Sequence, residues 1–420
     1  MLIFIGKYDE SIEETEITLR ICLDKWGYES KYAAICYNNL GICYDCKGHY
    51  TKAIDYYDRA LSIRLAVLGE QHPHTAVSYN SLSCCYCCKG DYNKSLIYSQ
   101  KALTLFLAIV GEQHIDTAAI YSNLGAFYIE KGDYDRAIAY QKHSLSILFI
   151  VADEQHPDIA MNYNNLGNCY FYKKDISQAI VYQQQALRIR LATLGEQHPE
   201  TASSYNNLGN FYYCKEEYSQ AISYQEQALS ICLAVLGKQH PETAKCYNNL
   251  GVYNTNVQKV EQAIEYFQQA LTIRLATIGK KHPETAQNYY NLAQLHHTQS
   301  QYPQALDYHQ QALQSLALDV PDEDYYPLPK LAGYNSAVWL LETLPAKATT
   351  LTALYHQTQN PQDLSAALAH YQCSDELIDQ MRQSYKTEGS KLILAEKGKN
   401  KVYDAGLEAL WAAEQFMQTA

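Results

Sequence analysis

The 420-residue chain has no run of lysine or arginine, no stretch that approaches 18 apolar residues, and only 11 prolines and 19 glycines. Without a basic run, a chain of net charge −12 is a poor partner for a phosphate backbone, so no nucleic-acid ligand is expected. Without a long apolar run there is no candidate transmembrane helix. The opening Met1-Leu2-Ile3-Phe4-Ile5 has no basic leader, long apolar core or small-residue cleavage site, so the expectation is a cytoplasmic protein that does not enter the membrane. Scarce proline and glycine leave little room for long linkers. No Gly-rich phosphate loop, His-Glu-x-x-His or Gly-x-Ser-x-Gly elbow occurs, which gives no support for an enzyme. The 13 cysteines, an odd number without an export signal, read as reduced thiols.

What is present is a period. Leu40, Leu82, Leu124, Leu166, Leu208, Leu250 and Leu292 stand 42 residues apart, each inside a version of Tyr-Asn-Asn-Leu-Gly. Ala53-Ile54 and Ala60-Leu61 head two further series at the same spacing. Tyr37, Leu40, Gly41 and Tyr44 fall at i, i+3, i+4 and i+7, one buried helix face, and Ala53, Tyr57, Ala60, Leu61 and Arg64 mark a second. The unit is therefore two helices. The recurrence of Gly41 at 167, 209 and 251, despite its cost to a helix, implies close helix approach. In the connector Leu194-Gly-Glu-Gln-His-Pro-Glu-Thr-Ala202, the glycine suits a helix C-terminus and Pro199 the first position of the next helix.

These residues resemble the tetratricopeptide repeat family, and the 42-residue length with its Leu-Gly-x-x-His-Pro connector is most similar to kinesin light chain repeats. The resemblance implies an all-α fold, an α-solenoid of antiparallel helix pairs wound into a right-handed superhelix, followed by a helical C-terminal region. Residues 1–31 read as a partial repeat, 32–318 as seven repeats and 319–420 as a non-repeat or degenerate helical region. The edge at Met1 to Ile5 reads as uncapped, which suggests self-association or continuation of the chain there. Ala366 to Ala395 resembles the helical connector that precedes the caspase-like CHAT domain of bacterial repeat proteins. The family's function implies a scaffold that holds a protein or peptide ligand; the alternative is the sensing arm of a CHAT-type protease whose catalytic domain is not in this chain.

The family's ligand groove lies on the first helix of each repeat. The resemblance assigns to it Asn38, Asn80, Asn164, Asn168, Phe171, Asn206, Asn210, Tyr213, Lys245 and Asn248. An asparagine amide both donates and accepts, so such a ladder could bond a peptide backbone, aided by aromatic neighbours. The second asparagine of each pair (Asn39, Asn123, Asn165, Asn207, Asn249 and Asn291) reads as structural, and the first stays open between the two roles. Replacing Asn164, Asn206 and Asn248 by alanine is expected to weaken capture and leave helix content intact. Lys245 is the one cation on that face, so the groove suits a neutral or basic segment rather than a terminal carboxylate. Cys84, Cys85, Cys87 and Cys88 invite a zinc reading, but Cys85 aligns with Cys43, Phe127 and Tyr253 and is an apolar position. The periodic histidines, His72 to His282, read as cap residues, and most of the 39 tyrosines as packing. No metal or cofactor is expected.

Overall fold

A histidine, a proline and a threonine start the first helix of a repeat. In the computed structural model, which describes residues 8–321, 325–331 and 333–384, Gly195 has φ +84°, a left-handed conformation that glycine adopts without penalty. Its N–H donates to the Arg190 carbonyl at 3.2 Å. His198 then caps the next helix: its ring Nδ1 accepts the Glu200 N–H at 3.2 Å. Pro199 fills the first helical position, where no N–H is needed, and the Thr201 hydroxyl donates back to the Gly195 carbonyl at 2.9 Å. His72, His114, His156, His240 and His282 cap their helices in the same way. Where Asp153 replaces the connector glycine, Ile159 stands where the threonine would be.

The chain divides into two compact units, residues 1–217 and 218–420. The first holds α1 (Tyr8–Trp26), α2 (Lys31–Cys46), α3 (Tyr50–Leu68), α4 (Pro73–Cys88), α5 (Tyr92–Ile109), α6 (Ile115–Glu130), α7 (Tyr134–Val151), α8 (Pro157–Tyr172), α9 (Ile176–Thr193) and α10 (Pro199–Cys214). The second holds α11 (Tyr218–Ile231), which runs on as a π turn over Cys232–Leu236, then α12 (Pro241–Asn256), α13 (Val260–Thr277), α14 (Pro283–Thr298), α15 (Tyr302–Leu316), α16 (Ala337–Thr358) and α17 (Pro361–Ser384). The fold is an all-α solenoid of helix hairpins, stacked in chain order within each unit, and among the described residues the sole extended pairing is the isolated bridge between Ala317 and Tyr334.

Two pairings that recur inside the hairpins explain the repeated residues. A tyrosine of the second helix lies between two of the first: Tyr56 stacks on Tyr44 (5.4 Å) and Tyr37, Tyr98 on Tyr86 (5.5 Å) and Tyr79, Tyr182 on Tyr170 (5.2 Å). Such stacks contribute about 0.5–1.5 kcal/mol each beyond area burial. Opposite the mid-helix glycine sits a large side chain: a Cβ on Gly41 would stand 2.6 Å from the Tyr57 ring, and one on Gly251 2.6 Å from Phe267. In the second repeat the small Ser99 takes the place of the large residue, and the glycine position accordingly admits Ser83, whose hydroxyl bonds to it.

A third pairing joins neighbouring repeats. Arg64, at most 6% exposed, donates from Nη1 to Ser78 Oγ (2.6 Å) and the His74 carbonyl (3.0 Å). Arg190 does the same with Ser204 (2.7 Å) and the Glu200 carbonyl (3.1 Å), and Arg274 with Asn288 (2.6 Å) and the Glu284 carbonyl (2.7 Å). At the slot of Leu148 there is no guanidinium, and the Asn162 amide bonds the equivalent carbonyl of Asp158 by itself at 2.8 Å.

In the second unit α16 packs along α17 and lies against both α14 and α15, the arrangement of each repeat hairpin on the one before it. The hairpin persists where the sequence period has gone. Beneath it, Lys347, His309 and His370 are fully buried, with Lys347 bonded to Gln310. Of the segment resembling a CHAT connector, residues 366–384 belong to α17, and the rest lies outside the described residues, as does the Met1 to Ile5 edge. No helix among the described residues is long and apolar enough to cross a membrane.

Candidate functional site: the face of the first helices

The first helices of unit one lie side by side, α4 against α6 and α6 against α8. Their exposed residues form a face whose charge is one-sided. From Tyr32 to Cys46 and throughout α4, α6, α8 and α10 there is no lysine or arginine, whereas Asp45, Asp116, Glu130, Asp158 and Glu200 are all present. The nearest lysines, Lys47, Lys89, Lys131, Lys173 and Lys215, stand at helix C-caps, where the helix dipole favours a cation. Lys47 pairs with Asp9, Lys173 with Asp135 and Lys215 with Glu217.

The asparagine ladder has a different geometry from the expected one. Asn38, Asn206 and Asn248 are 9%, 6% and 5% exposed, so they offer a ligand almost no surface. The two members of successive pairs bond to each other across repeats: Asn123 donates to Asn80 Oδ1 at 3.0 Å and Asn207 to Asn164 Oδ1 at 3.1 Å. In unit two, Asn291 donates to Asn248 Oδ1 at 3.4 Å. Asn164 Oδ1 also accepts from Gln183 at 3.2 Å. The first asparagine, whose role the sequence left open, is thus the acceptor that ties its repeat to the next, and its replacement removes a stacking bond as well as any ligand contact. Asn168, Asn210 and Tyr213 are half-buried. Phe171, also half-buried, stacks on Phe211 at 4.8 Å, and its neighbour Tyr172 is 50% exposed. In unit two, Lys245 is exposed but its Nζ lies 3.5 Å from Glu242, which reduces its value as a carboxylate clamp.

A feature that motif reasoning missed is a cleft of about 440 Å3 on this face, lined by Tyr50, Cys84, Cys87, Cys88, Phe127 and Glu130. Its thiols are not ligands in waiting. Burial pushes Cys84 up to about 12 and Cys87 up to about 11, so both are protonated at neutral pH. Cys85 points the other way, wholly buried, with Sγ 3.6 Å from the Tyr50 carbonyl. Among the described residues no three His, Cys, Asp or Glu side chains are placed to hold a metal ion. Behind the cleft, Asp45 has Oδ1 buried without a hydrogen-bond partner, and burial raises its carboxyl above the usual range against the opposing hydrogen bond of Cys85. The signal that could have found the cleft is positional: its thiols and Glu130 occupy the last turn of successive first helices.

A family model described as a tetratricopeptide repeat matches residues 1–66, 47–108, 85–148, 116–192, 158–233, 200–255 and 252–317. No curated protein matches the chain. Among solved structures, the apo form of RapI is 16% identical, with 91% of this chain and 98% of that one covered at a TM-score of 0.56. The apo form of the quorum sensor NprR from B. thuringiensis is 15% identical, covering 73% and 83% at 0.56. BtubC (BKLC) from P. vanneervenii is 23% identical, covering 67% and 92% at 0.43. At these identities the likeness is one of fold.

Proposed function

The chain belongs to the tetratricopeptide repeat family, and on that premise we propose that it is a protein-interaction scaffold whose first helices hold an extended or helical segment of a partner, rich in neutral and basic side chains. The observation that carries this reading is the one-sided face of unit one, five first helices of which four carry carboxylates and none, past Lys31, a lysine or arginine. Apolar contact comes from Ile35 and Met161, 48% and 37% exposed, and from Tyr172. Glu130 supplies the charge at the rim of the cleft. The resemblance of fold to a quorum sensor, NprR, is consistent with a sensing scaffold.

Selection of a displayed random peptide library on the purified chain tests it. The enriched peptides should combine apolar with Lys or Arg residues, and their binding should weaken as salt rises. Glu130→Lys, Met161→Glu and Tyr172→Ala should each reduce capture, whereas Leu107→Asp on a second helix should not. Acidic enriched peptides, or capture that responds to Leu107 and ignores the other three, would overturn the assignment.

A further inference from the structure

The slot that joins neighbouring repeats holds seven residue pairs, 14 positions apart within each pair and 42 from one pair to the next. Three are Arg64 with Ser78, Arg190 with Ser204 and Arg274 with Asn288, all hydrogen-bonded. Phe106 and Ile120 fill a fourth within one apolar cluster. The remaining occupants include Cys22 opposite Cys36 and Cys232 opposite Cys246, with Sγ atoms 4.0 and 3.9 Å apart. Cysteine used only as a small apolar filler has no reason to choose its partner. In this slot it occurs twice, both times facing cysteine.

We propose that Cys232 and Cys246 form an oxidation site, in which a low-molecular-weight disulfide converts the two thiols into an intrachain disulfide that ties α11 to α12. A bonded pair lies about 2.05 Å apart, so side-chain rotation with a small helix adjustment closes the gap. The Cys246 thiol donates to Cys232 and holds the Cys232 thiol below its ordinary range, which makes Cys232 the attacking sulfur. The Cys232 thiolate attacks one sulfur of the small disulfide and releases the other as a thiolate. Cys246 then gives up its proton to that thiolate and attacks the Cys232 sulfur, releasing the second small thiolate, which takes from solvent the proton that Cys232 gave up. Two protein thiols are oxidised and one small disulfide is reduced to two thiols.

Access is the step to explain, because Cys232 and Cys246 are only 4% and 2% exposed. Cys232 opens the π turn Cys232–Leu236, whereas the equivalent residues from Arg274 lie in regular α-helix. Wide turns of this kind accompany functional sites, and the neighbouring Leu233 and Val235 are already 37% and 42% exposed. Local opening of this turn exposes the pair without unfolding the unit. The consequence is local: the disulfide fixes α12, which carries the exposed Lys245, to α11 within unit two.

The test uses the full chain, reduced, then treated under native conditions with oxidised glutathione and quenched with N-ethylmaleimide before trypsin. Cys232 lies in the tryptic peptide 216–238 and Cys246 in 246–259, while Cys214 falls in a separate one. The expected product is 216–238 joined to 246–259, two hydrogens lighter than their sum and separated again by dithiothreitol. Amide exchange over residues 232–246 should slow by about tenfold in the oxidised chain and stay unchanged in the Cys246→Ser variant. Recovery of the two peptides singly alkylated or singly glutathionylated, linkage of Cys232 to another cysteine, or loss of helix content before linkage would each overturn the proposal.

Discussion

The inter-repeat slot predicts that Arg190 and Ser204 are energetically one unit. Arg190 is 6% exposed and donates two charge-assisted bonds, to Ser204 Oγ at 2.7 Å and the Glu200 carbonyl at 3.1 Å, with the Glu200 carboxylate 3.3 Å from Nε but off its N–H direction. Burial lowers the guanidinium pKa and Glu200 opposes that, so the residue pays desolvation that only its partners offset. Hydrogen bonds to charged groups contribute about 1.5–3 kcal/mol each. Arg190→Cys should therefore cost about 2–4 kcal/mol, and Ser204→Cys, which leaves a buried guanidinium short of one acceptor, about 1–3 kcal/mol. The double variant recreates the side-chain pair of Cys232 and Cys246 and removes both penalties at once. It should be less destabilised than the sum of the singles by about 1–3 kcal/mol, the coupling of residues in direct contact. Urea unfolding of the four chains under reducing conditions, with slopes compared to confirm a common transition, measures that difference. Additivity within about 0.5 kcal/mol, the value for independent sites, would refute the idea that the pair is chosen jointly.

Four residues at one position of the repeat, Lys174, Glu216, Gln258 and Ser300, adopt φ between 58° and 67° where Gly48, Gly90 and Gly132 stand in the first three repeats. Replacing Lys174 or Gln258 by glycine should stabilise the chain by roughly 0.5–1 kcal/mol each, the left-handed strain being larger than the added unfolded-state entropy, and a thermal melt shifted downward would contradict this. His309 and His370 are buried neutral, His309 held well below its ordinary range and His370 lowered to about 3 by burial, with Lys347 facing both. Both folded pKa values lie below the unfolded 6.5, so their stabilisation is full above pH 6.5 and falls as pH drops, by up to roughly 1.4 kcal/mol per unit for each histidine. Hydrogen exchange at pH 5 should accordingly rise first in α15–α17, and equal acid sensitivity in unit one would show that other groups dominate.

The hairpins, their caps and their stacking order were legible because each depends on a local rule that recurs, seven times for the Asn-Leu block and six for the histidine cap. A Gly, a His and a Pro at fixed offsets specify a helix end and a helix start, and one leucine per 42 residues fixes the register. The hairpin α16–α17 was legible as helix but not as a stacked hairpin, because it packs on α14 and α15 through Leu340, Leu344 and Leu377, none of them at the repeat's spacing. The asparagines were the harder case. Periodicity places Asn164 and Asn165 one residue apart, about 100° around the helix, but which of them accepts from the next repeat depends on the neighbour's position. Asn207 reaches Asn164, 43 residues away, one more than the period. A one-residue offset of that kind belongs to the stacking geometry, and no single repeat contains it.

The same offset bears on why an array of near-identical units stacks in its proper order. Units with identical faces can pair with a neighbour's neighbour during folding, and repeat chains fail in this way. Here the backbone spacing is invariant while the slot chemistry changes along the chain, from thiol pair to guanidinium with hydroxyl, to Phe106 with Ile120, to the self-bonded Asn162, and back to guanidinium with Ser204. A helix carrying Arg190 that met Ile120 would bury a charge short of its side-chain acceptor, and one carrying Phe106 that met Ser204 would leave a hydroxyl against a ring. Each mismatch costs more than the matched contact gains, since an unpaired buried polar group loses its full hydration. The variable slot therefore selects the correct neighbour while the constant residues build the hairpin. On the first-helix face the asparagines that tie the repeats share the stacking task, and the exposed residues beside them, such as Ile35, Met161 and Tyr172, are the ones neither task requires.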